Sequence, residues 1–149
     1  MEYISVFDML KIGVGPSSSH TLGPWRAAET WLALLAENNW LELTDTIKID
    51  LYGSLSMTGK GHATDMALVL GLSGKDPERM PVSEIQTTLD AVRNESRLLL
   101  GNKKRLSFDI LDDIKFNNEF LPFHSNGMKF SAYHAGEILS QEIYYSIGG

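Results

Sequence analysis

The sequence contains no cysteine among its 149 residues. Disulfide bonds and thiolate metal sites are therefore excluded within this chain. The same absence excludes an iron–sulfur cluster held by this chain alone, because such clusters are bound through cysteine thiolates. With 43% apolar and 21% charged residues, the composition is that of an ordinary globular protein, and the length fits one domain.

Long apolar runs, a basic leader and a basic face are also missing. No apolar run approaches the roughly 20 residues that span a bilayer, and Met1–Leu10 carries two acidic residues and no basic segment, unlike a secretory signal. The net charge is −6 and the only basic run is Lys103–Arg105, which argues against nucleic acid as a partner. We therefore expect a cytoplasmic protein that neither spans a membrane nor binds nucleic acid.

Three segments have the apolar spacing of amphipathic helices. Residues 21–38 and 62–72 repeat apolar side chains at helical intervals, and residues 82–95 follow the same pattern with Ser83 as a candidate N-cap. Two connecting segments, residues 53–61 and 71–81, are rich in glycine and turn-forming residues and are expected to be loops.

Four further segments have the pattern of strands. Alternation of apolar and polar residues predicts a strand at 46–52, and further strands are expected at 106–110, 128–133 and 142–147. Residues 3–8 suggest a short extended entry, and residues 122–127 (PFHSNG) have strong turn chemistry. Helices mixed with strands, some joined as hairpins, predict a two-layer α+β domain with a mixed sheet, occupying residues 1–149.

The segment before the first helix, residues 12–21 (IGVGPSSSHT), has an unusual density of hydroxyl groups. Glycine permits backbone angles denied to other residues, and Ser17, Ser18 and Ser19 then offer hydroxyl and amide groups at the positive end of a helix dipole. That arrangement suits a carboxylate or phosphate. A simple helix cap made by one serine is the alternative.

The second chemistry-bearing segment is residues 53–65 (GSLSMTGKGHATD). It fails as a phosphate-binding P-loop, because five residues instead of four separate Gly53 from Gly59 and a glycine follows Lys60. It still presents Lys60 and His62 where a ligand can approach the backbone. An imidazole titrates near neutral pH, so His62 is a candidate general base, with helix capping or packing as the alternative.

The remaining histidines are His20, His124 and His134, and none forms the i, i+4 pair of a helical zinc site. We therefore expect no metal site in this chain. His124 lies in the predicted turn beside Asn126, which has a structural alternative because asparagine tolerates left-handed backbone angles. A structural role is expected for His134 at a strand end.

Taken together, five motifs resemble one protein family over nearly the whole chain: SVFD at residues 5–8, IGVGPSSSHTLGP at 12–24, LYGSLSMTGKGHATD at 51–65, FHSNGM at 123–128 and YYSIGG at 144–149. In this order they resemble the β-domain of the iron–sulfur L-serine dehydratases. The resemblance implies elimination of ammonia from L-serine, by way of aminoacrylate, to give pyruvate. It also implies a fold similar to the allosteric substrate-binding domain of some phosphoglycerate dehydrogenases.

The resemblance also implies roles for individual residues. His62 is the candidate base, and the expected substrate-binding residues are Ser17, Ser18, Ser19, His20, Thr21, Lys60, Gly61, His124, Asn126 and Ser146. Ser125 departs from the family, which often has proline there. A helix N-terminus lined by hydroxyl groups suits the negative charge that builds on the carboxylate when the Cα proton leaves.

The absence of cysteine is the main departure from a complete enzyme of this family. The resemblance implies a [4Fe–4S] cluster that acts as Lewis acid on the substrate hydroxyl and is bound by cysteines of a helical α-domain, which is absent from this chain. The expected partners are therefore L-serine, an α-domain or α-subunit, and a second copy in a homodimer. The chain alone is expected to be inactive. The alternative is a regulatory module that binds a small carboxylate without catalysis, since one fold serves several functions.

Overall fold

The computed structural model describes residues 20–59 and 63–146. Within them the chain forms five helices and six strands. The helices are α1 (Leu22–Glu37), α2 (Gly53–Gly59), α3 (Ala63–Leu72), α4 (Val82–Glu95) and the single turn α5 (Ile110–Asp113). The strands are β1 (Thr46–Leu51), β2 (Arg97–Leu100), β3 (Lys104–Ser107), β4 (Ile114–Phe116), β5 (Gly127–His134) and β6 (Glu137–Tyr145).

Four strands form a mixed sheet in the order β4-β1-β5-β6. β1 is parallel to β4 and antiparallel to β5, and β5 is antiparallel to β6. The strands β2 and β3 form a separate antiparallel hairpin. The mixed sheet and its helices are consistent with the α+β class predicted from the sequence.

The alternation in β1 creates the buried face of the sheet. Ile47, Ile49 and Leu51 point to one face and are fully buried, whereas the side chains between them are not. Their partners in β5 are Ala132, Phe130 and Met128, which are also fully buried. A period-two pattern thus gives one apolar face on two adjacent strands.

The helix α1 covers this face. The ring of Trp31 stacks on Phe130 with 5.1 Å between centroids, and the Trp31 Nε1–H donates to Ser140 Oγ at 3.1 Å. α1 packs tightly on α3, because a Cβ on Gly71 would lie 2.9 Å from Ala28 Cβ. The helix α4 and the β2–β3 hairpin complete the core behind α3.

The three predicted helices are confirmed with ends within one residue of those expected. The proposed cap Ser83 is wrong, because α4 begins at Val82 after the N-cap Pro81, which makes no side-chain cap bond. Instead, the Pro81 carbonyl accepts from Glu84 N and Ile85 N. Ser83 is therefore already inside the first turn.

The loop predicted over residues 53–61 is wrong for residues 53–59, because Gly53–Gly59 forms the helix α2, and the last two residues lie outside the described part of the chain. The first amide groups of α2 are satisfied by a distant segment of chain. Gly53 N donates to Glu119 O at 2.9 Å and Ser54 N donates to Ser125 O at 2.8 Å. Tertiary hydrogen bonds thus stabilise a helix start that the local composition disfavours.

The predicted strand at 106–110 is displaced. The structure has a strand at Lys104–Ser107, after which Asp109 caps the short helix α5 by accepting from Leu111 N at 2.8 Å. The last predicted strand starts five residues earlier than expected, at Glu137, and its final residue, Ile147, lies outside the described part of the chain. The strands β2 and β4 were not predicted.

Candidate functional site

Several polar residues meet at the end of the sheet where β1 and β6 terminate and β5 begins. Tyr52 N, just after β1, donates to Gly127 O at 2.9 Å, and Ser146 N, just after β6, donates to Asn126 O at 2.9 Å. The same end of the sheet receives the start of α2 through Ser54 N and Ser125 O. The connections at this end are therefore held together by backbone hydrogen bonds.

Asn126 and Ser146 form the buried part of this cluster, and each is less than 10% exposed. In addition to the backbone bond between them, Asn126 Nδ2 donates to Ser146 O at 3.1 Å. Asn126 Oδ1 is buried and has no hydrogen-bond partner among the described residues. A buried acceptor without a partner is rare, because desolvation of a polar group has a cost. Asn126 Oδ1 is thus a candidate acceptor for a donor outside the described residues.

The left-handed backbone on which the structural alternative for Asn126 rested is not observed. Among the described residues other than glycine, positive φ angles occur at Asn39, Ser96, Asn102 and Ala135. Asn126 is therefore not selected here for a left-handed backbone. Its side chain instead bridges two connections of the sheet.

His124 lies in the turn before β5, as the sequence predicted. Its Nδ1 accepts from Asn126 N at 3.0 Å. Because this ring nitrogen acts as an acceptor, the proton of the neutral imidazole is on Nε2. The contact orients the ring relative to Asn126.

His20 joins the cluster from the chain just before α1. Its Nε2 lies 3.3 Å from Ser54 Oγ in α2, and its carbonyl accepts from Thr64 Oγ1 in α3 at 2.5 Å. One residue thus connects the starts of three helices. Sequence reasoning did not single out Ser54, although its glycine-rich segment indicated a ligand-approach region.

The N-cap of α1 is Thr21, which is buried and makes no side-chain cap bond. Thr21 therefore holds the N-cap position, and the alternative of a serine cap stays a prediction. Ser17, Ser18 and Ser19 lie outside the described residues, as do Lys60, Gly61, His62 and the predicted entry at residues 3–8. The structure thus brings together His20, His124, Asn126 and Ser146 of the predicted site.

Exposed aromatic side chains border the cluster. Phe120 is 56% and Phe123 is 68% exposed, and the Phe123 ring lies 4.9 Å from that of Tyr145. The segment carrying them rests on Gly53, where a Cβ would lie 2.8 Å from Phe120 Cδ1. Aromatic surface next to a polar cluster is typical of a site that another domain or chain covers.

The other end of the sheet has a different composition. The Nδ1 atom of His134, at the end of β5, lies 2.7 Å from Leu43 O and 3.6 Å from Asp45 Oδ2. These contacts connect the β5–β6 turn to the loop before β1 and lie away from the cluster. Closer to the cluster, burial raises the pKa of Tyr144, which packs edge-on against Phe130.

The residues of this chain do not fit an iron–sulfur cluster. The complete sequence has no cysteine, and the described residues contain no group of three or more metal-binding side chains. Among those residues there is also no helix long and apolar enough to cross a bilayer. The chemistry available here is that of hydroxyl, amide and imidazole groups.

The fold and the site define a mixed α+β domain with a partly buried polar cluster at one end of its sheet. Comparison with known families is more specific. The family model described as serine dehydratase beta chain matches residues 5–149. The chain belongs to this family.

Individual relatives agree with the family match. The chain is 44% identical over 147 residues to L-serine dehydratase TdcG of Escherichia coli (strain K12) and 42% identical over 148 residues to the L-serine dehydratase of Haemophilus influenzae. It is 40% identical over 149 residues to the L-serine dehydratase of Streptomyces coelicolor. Each match covers 98% of this chain but 32% of the relative. The chain thus spans about a third of the length of the curated relatives it matches.

Proposed function

We propose that this chain is the β-domain of an L-serine dehydratase and supplies substrate contacts and the base for conversion of L-serine to pyruvate and ammonia. The observation that carries the proposal is the convergence of His20, Ser54, Asn126 and Ser146 at one end of the sheet, in a chain whose family match covers residues 5–149. The fold is proposed to be that of the allosteric substrate-binding domain of phosphoglycerate dehydrogenases.

The reaction requires removal of a proton from Cα and loss of the β-hydroxyl group, which leaves aminoacrylate. This enamine becomes an imine, and water then releases ammonia and pyruvate. We propose that His62 removes the Cα proton, because a neutral imidazole is a suitable base near pH 7. His62 directly precedes α3 in the sequence, and the first turn of α3 is bound to His20 through Thr64.

The substrate's charged groups have matching partners. The amide and hydroxyl groups of Ser17–Ser19, with His20 and Thr21, are proposed to hold the carboxylate before α1. Asn126 Oδ1 is proposed to accept from the ammonium group, and its lack of a partner among the described residues supports this role. Lys60, Gly61, His124 and Ser146 are proposed to complete the pocket.

The rest of the enzyme is proposed to cover this site. The chain spans about a third of its relatives, and Phe120 and Phe123 expose apolar surface beside the cluster. We therefore propose that an α-domain or α-subunit docks there and holds the [4Fe–4S] cluster, for which this chain has no ligands. Residues 1–149 alone are then inactive, and formation of pyruvate from serine by the purified fragment would contradict this part of the proposal.

The test uses the complete enzyme with His62→Ala, and His134→Ala as the matched control. Loss of a general base lowers turnover by about 10²–10⁴-fold, so pyruvate formation by His62→Ala is expected to fall by this factor. Serine binding and the visible absorbance of the cluster stay unchanged. The control retains its turnover. Near-normal turnover by His62→Ala would remove His62 as the base and favour a carboxylate-binding regulatory module.

A further inference from the structure

A cavity of about 260 Å³ lies between α4, the β2–β3 hairpin and the segment that follows α3. Its polar lining comes from all three: Lys75 after α3, Thr88 and Glu95 on α4, and Arg97, Asn102 and Arg105 on the hairpin. The proposed serine site is near the first turn of α3, whereas this cavity is beyond its last. The ten residues of α3 separate the two by roughly 15 Å at 1.5 Å per residue.

The walls of this cavity are held in place without a ligand. The turn of the hairpin contains Gly101 and Asn102, both with positive φ, and Gly101 N donates to Leu72 O at 2.7 Å. Gly74 lies so close to this turn that a Cβ there would be 3.0 Å from Gly101 C. On the other side, Trp25 Nε1 donates to Lys75 O at 3.0 Å. The hairpin tip is thus fixed against the end of α3.

Two arginines of the hairpin share one face. Leu98 and Leu106 are paired and buried, so Arg97 and Arg105 lie on the opposite face from them. Arg97 is opposite Ser107, two residues from Arg105, and such diagonal neighbours are about 7–8 Å apart. Two long arginine side chains that start from such neighbouring positions can reach one small ligand.

The cavity carries a positive charge in an acidic protein. Its lining has Lys75, Arg97 and Arg105 against one carboxylate, Glu95, while the whole chain has a net charge of −6. Lys75 is compensated by Glu84 at 2.5 Å. Within the described part of the chain, neither arginine forms an ion pair. Two cationic residues that line one cavity and have no ion-pair partner among the described residues favour the binding of an anion.

We propose that this cavity binds a small oxyanion, a carboxylate or a phosphate, between Arg97 and Arg105. Guanidinium groups match both anions, because their planar donors form paired charge-assisted hydrogen bonds. The volume is below the roughly 300–1,000 Å³ of pockets for drug-sized ligands, which limits the ligand to a small metabolite. The site is separate from the serine site and does not depend on the proposed dehydratase function.

The test measures the binding of inorganic phosphate and of succinate to the full chain by calorimetry, at constant ionic strength with chloride as the reference. The variants are Arg97→Gln and Arg105→Gln. Lys103→Gln is the control, because it removes the same charge from the same hairpin outside the cavity lining. All three positions are exposed, so the variants are expected to fold normally, which circular dichroism checks.

Each arginine variant is expected to weaken anion binding about tenfold, the equivalent of 1.4 kcal/mol, whereas Lys103→Gln binds as the unaltered chain does. The anion that binds more tightly, phosphate or succinate, shows whether the site is specific for a phosphate or for a carboxylate. Equal loss in the control and the arginine variants would show a diffuse charge effect and overturn the proposal. The proposal would also be overturned if neither anion binds at millimolar concentration, or if neither arginine variant changes the binding.

Discussion

Ser146 occupies the space in which Gly23 would carry a side chain. A Cβ on Gly23 would lie 1.7 Å from Ser146 Oγ and 2.7 Å from Ser146 Cβ. Because Ser146 is also bonded to Asn126 through both backbone and side chain, the end of β6 cannot move aside without disturbing that pair. The glycine near the start of α1 thus sets the position of two candidate site residues.

The first prediction concerns Gly23→Ala. Alanine normally stabilises a helix relative to glycine by up to about 1 kcal/mol. Here the added methyl group must displace Ser146, and overpacking of this kind costs about 1–3 kcal/mol. We therefore expect a lower free energy of unfolding in urea and a lower kcat/KM for serine in the complete enzyme. Ala33→Ser, which adds one atom at an exposed position of α1, is the control. A more stable Gly23→Ala variant would show that Ser146 yields easily.

The second prediction concerns Ser54, whose Oγ lies 3.3 Å from His20 Nε2. Ser54→Ala removes one hydrogen-bonding partner of this ring, so the complete enzyme is expected to lose about tenfold in kcat/KM, or 1.4 kcal/mol of transition-state stabilisation. The free energy of unfolding changes little, because the backbone bond from Ser54 N to Ser125 O remains. Ser107→Ala, on the exposed edge of the hairpin, serves as the control. Unchanged kinetics would exclude a role for Ser54 in the site.

The long periodic segments were predictable because their apolar pattern matches their burial. In α1 the residues Trp25, Trp31 and Leu35 are fully buried, as their helical spacing indicates. The strand β2 was not predicted because its four residues follow directly on α4, separated only by Ser96 with φ of 52°. Short elements of this kind depend on contacts with distant residues, which the local sequence does not contain.

The candidate site was also predictable only in part. The glycine, serine and histidine motifs indicated which segments carry chemistry, and the structure brings His20, His124, Asn126 and Ser146 to one end of the sheet. The helical start at Gly53 was not predictable, because its amide groups bind carbonyls more than 60 residues away in the sequence. Ser54 was missed for this reason.

The third prediction concerns pH and Asp45, whose carboxylate joins the loop before β1 to the β5–β6 turn. The hydrogen bond from Ala135 N, at 2.8 Å, is the largest cause that lowers the pKa of Asp45, and Thr46 Oγ1 adds a second bond. Since the folded-state pKa is below the unfolded value of 3.8, the stabilisation is present above that pH and is lost as pH falls through the folded-state pKa.

Asp45→Ala is therefore expected to be less stable than the unaltered chain at pH 7, with a difference that shrinks below about pH 4. Urea unfolding at a series of pH values measures this difference. Glu42→Ala, at an exposed position of the same loop, is expected to change stability little at any pH. A destabilisation by Asp45→Ala that stays constant down to pH 2 would show that the charge of Asp45 is not involved.

The last prediction concerns Asn126, whose side chain has a structural donor and an acceptor without a partner among the described residues. Asn126→Ala removes the bond from Nδ2 to Ser146 O, which costs about 1 kcal/mol of stability. It also removes the proposed partner of the substrate ammonium group, so KM for serine in the complete enzyme is expected to rise about tenfold. Asn38→Ala, which loses an exposed bond of the same type to Leu34 O at the far end of α1, is the control for stability alone.

Asn126→Asp separates the two functions of this side chain. It keeps an oxygen acceptor for the ammonium group and replaces the donor that binds Ser146 O. Serine affinity is therefore expected to recover in part relative to Asn126→Ala, while stability does not, because a carboxylate then faces a carbonyl oxygen in a buried position. If Asn126→Ala and Asn38→Ala both lose stability and neither changes the KM for serine, Asn126 has only a structural role. The ammonium group of the substrate then binds elsewhere.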